Sequence, residues 1–568
     1  MGQVGISNLR ALGSLVGKVP MQRVAFYATQ GSLPGRAWVV DKIVSGTRDM
    51  RKFGIVTLII VQGLSLVFSL SMSAAKQPNV LFIAIDDMND WIGPLGGLDI
   101  AKTPNLDRLA AESATFANAH CASPACAASR LANMSGVQPS KTGVMQNVWY
   151  DGPQWREIPM LKDIETVEQF FKNRGYETLA GGKIYHSLAP PWLTSNQADP
   201  DGWDFYYPSL AVPMPYQMNA PEKVINPDSW KGGRHKWFTW GPIQAPDEKM
   251  ADHQTVSWAR YELMRKREKP LYLACGIFRP HMPWEVPQKY FDLYPIEDIP
   301  DLEIEENDLK DAFVHPRRGW HKFVLENKQW KHVIQAYLAS ISFADAQIGR
   351  LLDALEASGK ADETIVVLWS DHGMHIGEKE NWEKFTLWEE STRVPFFVRA
   401  PGVSEPGSVV NQPVSLLDVY PTLVDLAGYD IPEHCDGVSV VPLLRKPHSK
   451  RKHSALTSFT FPQNLTGHAL RSERYRYIYY EWNSLEELYD HRNDKGEYTN
   501  LAYDPKYGKV VRQFRRELVA RVDRVKLEEI EKEPDGYTLS GNRISADDFV
   551  PMAEVLLPPE RPKVSGIR

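Results

Sequence analysis

Short, nearly continuous apolar runs recur along the chain, and several end in residues that carry chemistry. The first, Val80-Leu81-Phe82-Ile83-Ala84-Ile85, leads straight into Asp86-Asp87. A run of this length without polar alternation predicts a strand buried on both faces, as in a parallel sheet. Leu271-Tyr272-Leu273-Ala274-Cys275-Gly276 repeats the pattern, and so does Ile365-Val366-Val367-Leu368-Trp369, which ends in Ser370-Asp371-His372-Gly373. Tyr176 to Ala180 and Pro395 to Val398 read as further strands. Between the runs the apolar period lengthens to that of a helix. Helices are predicted from Thr103-Pro104 to about Ala114, from Ile164 to Asn173 with a stop at Gly175, and from Val256 to Arg267. Two more follow, Trp330 to Ala357 and Leu416 to Ala427. This alternation predicts an α/β fold, a large mixed and mostly parallel sheet sandwiched by helices.

Near Pro442 the pattern changes. Ala469-Leu470-Arg471, Tyr475 to Tyr480 and Glu487 to Asp490 alternate like antiparallel strands, and Val510 to Lys526 forms an amphipathic stretch able to cover them. Residues 76–442 are therefore read as the main α/β domain and 443–568 as a smaller C-terminal α+β domain with a polar tail. Residues 187–250 are rich in Pro, Trp and Tyr and lack a clear period. Trp192, Trp203, Trp230, Trp237 and Trp240 there fit either a sugar-stacking platform or an ordinary packed loop.

The N-terminus departs from this scheme. Met50-Arg51-Lys52, an uncharged run from Phe53 to Ser71, and Ser73-Ala74-Ala75 have the three parts of an export signal, so residues 50–75 are read as a signal peptide. Residues 1–49 would then be an upstream extension absent from the native product, with Met50 as the true start. An uncleaved anchor over 53–71 is the alternative, since that run approaches the ~20 residues needed to cross a bilayer. The expected destination is the periplasm or the outside of the cell, with no membrane contact after cleavage.

A net charge of −6 argues against a nucleic-acid partner. Residues 1–75 hold more basic than acidic side chains, so their removal leaves the chain more acidic still, and an anionic substrate would need a local basic site. Four cysteines in 568 residues exclude a disulfide-built scaffold and leave room for a reactive one. Cys126 stands out. It sits in Ala125-Cys126-Ala127-Ala128-Ser129-Arg130, a small-residue run suited to opening a helix, whose N-terminus tolerates negative charge.

Asp86, Asp87, Asp371 and His372, at the ends of two predicted strands, supply hard oxygen ligands and one imidazole. That set suits one calcium or magnesium ion better than zinc. Arg130, Lys183, His186, His281 and Lys384 supply positive charge and proton donors for an anion. Prolines on both sides of His281 would fix its backbone, and Trp284 beside it is the expected substrate contact. Gly181-Gly182 before Lys183 would let backbone approach a ligand closely.

Taken together, these segments resemble the type I sulfatases. Cys126 to Arg130 followed by Ser135-Gly136 resembles the family's Cys-x-Pro-Ser-Arg and Thr-Gly signature, with Ala128 in place of proline and Ser135 in place of threonine. Gly175 to Thr178 and Gly182 to His186 are similar to its second signature. The two acidic pairs with Arg279-Pro280-His281-Met282-Pro283 between them most resemble the iduronate-2-sulfatase branch. The resemblance implies an alkaline-phosphatase-like fold and hydrolysis of a sulfate ester, on a sulfated sugar or glycosaminoglycan-like polysaccharide. It implies that a maturation enzyme oxidises Cys126 to formylglycine, whose hydrated form attacks sulfur beside a calcium ion, magnesium being the lesser candidate. Asp86, Asp87, Asp371 and His372, with the modified Cys126, would hold that ion. Arg130 would hold the nucleophile, Lys183 and Lys384 the sulfate oxygens, His186 would act as base, and His281 or Lys384 would protonate the leaving group. Two alternatives remain open at this point: a phosphodiesterase or phosphonate hydrolase of the same superfamily, and a non-catalytic sulfated-glycan-binding protein.

Overall fold

The computed structural model describes residues 77–147, 154–186, 201–208, 238–301, 305, 308–313, 318–461, 465–482 and 484–531. The expected extension, the signal segment, Trp192, Trp230, Trp237 and the tail beyond residue 531 lie outside these. No helix among the described residues is long and apolar enough to cross a membrane.

The main sheet has eight strands. They are β1 (Asn79–Asp86), β2 (Ala114–Phe116), β3 (Glu177–Gly182), β4 (Phe205–Tyr207), β5 (Leu271–Pro280), β6 (Thr364–Ser370), β7 (Phe396–Arg399) and β8 (Ser408–Val410). Their spatial order is β8-β2-β7-β6-β1-β5-β3-β4. Only β7 runs against its neighbours, so the sheet is mixed but mostly parallel, as expected. β1 lies in the middle, parallel to both β5 and β6.

The unbroken apolar runs have the predicted cause. Val80, Phe82 and Ala84 point into one core, and Leu81, Ile83 and Ile85 into a second core on the other face. Helices close both faces. They are α1 (Pro104–Glu112), α2 (Cys126–Ser135), α3 (Val167–Asn173), α4 (Ala251–Met264), α5 (Trp330–Ala357) and α6 (Val419–Leu426). α5 has the bounds its periodicity predicts and buries Ile334, Tyr337, Leu338, Ile341 and Ile348 in the second core. α3 starts later than expected, at a capping box made by Thr166 and Gln169. α6 is preceded by a tighter turn, Leu416–Asp418, which Ser415 and Asp418 cap reciprocally. Trp203 and Trp240 are buried packing residues.

The C-terminal region is a four-stranded antiparallel meander of β9 (Ala455–Phe461), β10 (Leu465–Arg471), β11 (Tyr475–Tyr480) and β12 (Leu485–Asp490). β9 went unrecognised in the sequence because all seven of its residues are buried, which erases the alternation that marks a half-exposed strand. α7 (Gly508–Val519) covers one face through Val511, Phe514 and Leu518. It is shorter than expected. Val522 and Val525 fill the same apolar cluster from a non-helical path, so their spacing mimicked a longer helix. The other face, through Phe459, Phe461, Ile478 and Tyr480, joins the first core of the main sheet.

Candidate active site

Parallel strands deliver their C-terminal ends to one edge, and the residues of interest cluster there. β1 ends in Asp86-Asp87, β3 leads into Lys183, β5 into His281, and β6 into Asp371-His372. Asp87 has φ +62°, a left-handed conformation uncommon for a non-glycine residue. Tyr337 of α5 holds it there, donating its hydroxyl to Asp87 O at 2.8 Å and accepting Asn89 N–H at 3.0 Å. Gly182 and Gly276 let β3 and β5 approach each other. A Cβ on Gly182 would stand 2.0 Å from Gly276 O, and one on Gly276 would stand 2.2 Å from Lys183 O. The close approach allowed by Gly182 is thus between two strands, not toward a ligand as expected, and it sets the height of Lys183.

Cys126 is the first helical residue of α2 and is 1% exposed. Ala125 offers no side-chain cap, but Asn147 Oδ1 accepts the Ala127 N–H at 2.9 Å. The Cys126 Sγ is 3.1 Å from His372 Nε2, and its side chain also hydrogen-bonds His186. Burial alone would raise the thiol pKa. Lys183, Lys384, His372 and the His186 hydrogen bond outweigh it and hold the group well below the ordinary thiol value.

Arg130, also fully buried, laces three of the strand ends together. Its Nε donates to Asp371 Oδ2 at 2.8 Å and its Nη2 to Asp86 Oδ1 and Ile85 O, both at 3.1 Å. Its Nη1 donates to Lys183 O at 2.5 Å and Ile184 O at 3.1 Å. Lys183 pairs with Asp86 Oδ2, and Lys384 reaches both Asp87 oxygens at 2.8 Å. His281 Nε2 lies 3.8 Å from Asp87 Oδ2. Burial pushes Asp86 up, but Lys183 leads the opposing charges, and the carboxyl ends below the usual carboxylate range. Burial raises Asp371 to about 7 against Arg130 and His372. Burial would lower His372, but Asp371, Cys126 and Asp87 bring it up to about 9.

The ligating atoms of Asp86, Asp87, Cys126 and His372 all lie within 4.8 Å of one another. Two carboxylates and an imidazole in so small a volume fit a hard divalent cation. Asp371, expected as a fifth member, stands at the edge of this set. Its Oδ2 is engaged by Arg130, and its Oδ1 accepts the Asp87 and His372 N–H groups at 3.2 and 3.1 Å. Trp284 is a clear correction. It is fully buried, donates its indole N–H to Pro280 O at 2.9 Å and packs edge-on against Phe238 and Tyr337. Its indole thus ties the turn before His281, and its ring belongs to the second core. Phe278 is the aromatic beside His281 instead, with ring centroids 4.7 Å apart.

Asn147 and Tyr337 were not anticipated. Tyr337 is indistinguishable in sequence from any core position of an amphipathic helix, and Asn147 carries no motif. His375 is a third such residue. It is fully buried, its Nδ1 donates to Glu378 O at 3.1 Å, and its Nε2 is hydrogen-bonded to Thr386 Oγ1 at 2.9 Å. Burial lowers its pKa to about 3. The unfolded chain takes up a proton near the ordinary histidine value of 6.5 while the folded chain does not, so this contribution is present above pH 6.5 and is lost as pH falls toward 3. Wild type is expected to lose up to about 1.4 kcal/mol per pH unit in that window from this group. Denaturant unfolding of His375→Asn at several pH values should show that slope removed.

The sulfatase family model matches residues 78–429, and the model for the C-terminal region of N-sulphoglucosamine sulphohydrolase matches residues 377–524. A sulfatase of Formosa agariphila is 36% identical over 76% of this chain and 84% of its own length. Iduronate 2-sulfatase of Mus musculus is 29% identical, over 70% of this chain and 77% of that protein. Choline-sulfatase of Rhizobium meliloti is also 29% identical, over 76% and 83%. Equal identity to two different branches gives no preference for the iduronate-2-sulfatase branch. With Cys126 at a helix N-terminus among two aspartates and a histidine arranged for a cation, and with the family match spanning the whole main sheet, the chain belongs to the formylglycine-dependent sulfatases and hydrolyses sulfate esters through a nucleophile made from Cys126.

Proposed function

We propose that the enzyme removes sulfate from a sulfated sugar, as part of a polysaccharide or a fragment of one. The observation that carries the reading is the ring of lysine and histidine side chains around Cys126. Lys183 and Lys384 stand on the two aspartates, with His186 at the Cys126 side chain and His281 3.8 Å from Asp87. Three sulfate oxygens need several fixed donors, and this ring supplies them without solvent reorganisation. The names of the relatives support the sugar: iduronate 2-sulfatase, and the N-sulphoglucosamine sulphohydrolase C-terminal model over residues 377–524. Residues 50–75, read as an export signal, fit a polymer met outside the cytoplasm.

In this reading Lys183 and Lys384 clamp the sulfate oxygens. His186 would take a proton from an oxygen at the Cys126 position, and His281 would give one to the departing alcohol. Asp86, Asp87 and His372 would hold calcium, with Asp371 at the edge. When bound, the ion supplies positive charge for oxygens that gain charge as the S–O bond breaks. Arg130 keeps the carboxylates in register.

The test is release of sulfate from defined sulfated mono- and disaccharides, compared with choline sulfate, an aryl sulfate and an aryl phosphonate, before and after chelation. Sugar sulfates are expected to give the highest kcat/KM, with activity lost on chelation and restored by calcium. Phosphonate turnover exceeding all sulfates would favour the phosphonate-hydrolase reading. Binding of sulfated glycan without sulfate release, with Cys126 converted, would favour a non-catalytic role.

A further inference from the structure

Lys384 is carried by a loop whose tip is anchored by residues outside the catalytic cluster. After His372 the chain forms a narrow hairpin loop. His375 N–H donates to Glu383 O at 3.0 Å, Gly377 N–H to Asn381 O at 2.8 Å, and Asn381 N–H to Glu378 O at 3.0 Å. Lys384 follows directly, its carbonyl and that of Glu383 accepting from the Asn381 side chain at 3.4 and 3.3 Å. The tip is Lys379-Glu380, with φ +54° and +53°. Two consecutive non-glycine residues in the left-handed region are sterically disfavoured, so this loop shape needs an external tie.

The tie is the Lys379 side chain, which is 3% exposed. Its ammonium donates to Asp308 Oδ1 at 2.5 Å and to Glu497 O. It also lies over three aromatic rings, 5.5 Å from the Trp388 centroid, 5.7 Å from Tyr489 and 5.3 Å from Tyr498. A desolvated ammonium among ring faces and one carboxylate is a strong, directional attachment. Glu487 of β12 fixes two walls of the cage. Its Oε2 accepts the Trp388 indole N–H at 2.9 Å and the Tyr489 hydroxyl at 3.0 Å. The C-terminal sheet therefore holds the tip of the loop, and the loop's other end places Lys384 on Asp87. Trp382 makes a second attachment, donating to His321 Nδ1 at 3.0 Å.

We propose that Lys379 is a positioning residue for catalysis: its caged ammonium fixes the hairpin that sets Lys384, so the C-terminal domain takes part in aligning the sulfate clamp. The inference rests on the reading of Lys384 as that clamp. Loss of Lys379 harms the reaction only through Lys384.

A double-mutant cycle tests it in the full-length, converted enzyme, using Lys379→Met, Lys384→Ala and the double variant with an aryl sulfate. Lys379→Met is expected to lower kcat/KM by ~10- to 100-fold, mainly in kcat, as a misplaced binding group does. In the Lys384→Ala background the same change is expected to cost less than about twofold, because coupled residues do not add. Lys379→Arg, which keeps a cation over the rings, should recover most of the rate. Tyr498→Leu removes the cage wall that is 39% exposed, and should lose activity in the same direction with an unchanged melting curve. It serves as the second probe if Lys379→Met does not fold. Full activity of Lys379→Met, or an equal fold-loss in both backgrounds, would overturn the proposal while leaving Lys384 as the clamp. Full activity of Lys384→Ala would instead overturn the clamp reading, and the inference with it.

Discussion

Replacing Cys126 by alanine is expected to abolish sulfate-ester turnover, a loss on the order of 10⁴-fold or more, as removal of a covalent nucleophile typically gives. The fold should survive the change. Cys126 is the first residue of α2, flanked by Ala125 and Ala127, and alanine is the best helix former. Only one sulfur atom is removed from a buried position. The side chain contacts His372 and His186, and Cys126 is not a member of either main apolar core. Steady-state rates with an aryl sulfate, alongside thermal melting, check both halves of the expectation. A variant that keeps more than a few per cent of the activity would remove Cys126 from the chemistry, as would wild type with a fully alkylatable thiol and full activity.

Arg130→Met is expected to be the most damaging substitution for stability, by about 3–5 kcal/mol, the usual cost of stripping one partner from a buried ion network. Methionine roughly fills the space, but Asp86 and Asp371 lose their shared counter-charge and three carbonyls lose their donor. The sign of the pH effect follows from Asp371, whose pKa burial already raises to about 7 with Arg130 present. Without the guanidinium it rises further. A carboxyl with a raised folded-state pKa is stabilising while protonated and loses that contribution as pH climbs from the unfolded value near 3.8 through the folded one. The deficit of Arg130→Met relative to wild type should therefore widen from pH 6 to pH 8 in denaturant unfolding. A deficit that is flat or narrows with pH would place the cost elsewhere.

The parallel core was legible because burial on both faces leaves a plain mark, an apolar run without alternation. β1, β5 and β6 were each visible in this way, and with them the strand ends that carry Asp86, Asp87, Asp371 and His372. α5 was legible to the residue because its stripe is long and regular. β9 was hidden by the same burial that revealed β1, since its Thr and Ser residues satisfy their hydroxyls internally, as when Thr457 donates to Cys121 O at 2.6 Å. Trp284 was misread because proximity in sequence to His281 says nothing about which side of the turn a ring occupies. Asn147, Tyr337 and Lys379 act across 20 to 250 residues of chain, and no local pattern records a contact of that span.

The burial of Cys126 also orders events in the life of the chain. A side chain that is 1% exposed, at the first turn of a helix locked by Arg130, offers no purchase to another protein. Oxidation by a maturation enzyme would therefore belong to the interval between synthesis and folding, when Ala125 to Arg130 can still be grasped as an extended peptide. Fast folding and complete maturation are in competition in this molecule. Delayed collapse would raise the converted fraction, and a chain that folds first would keep the thiol.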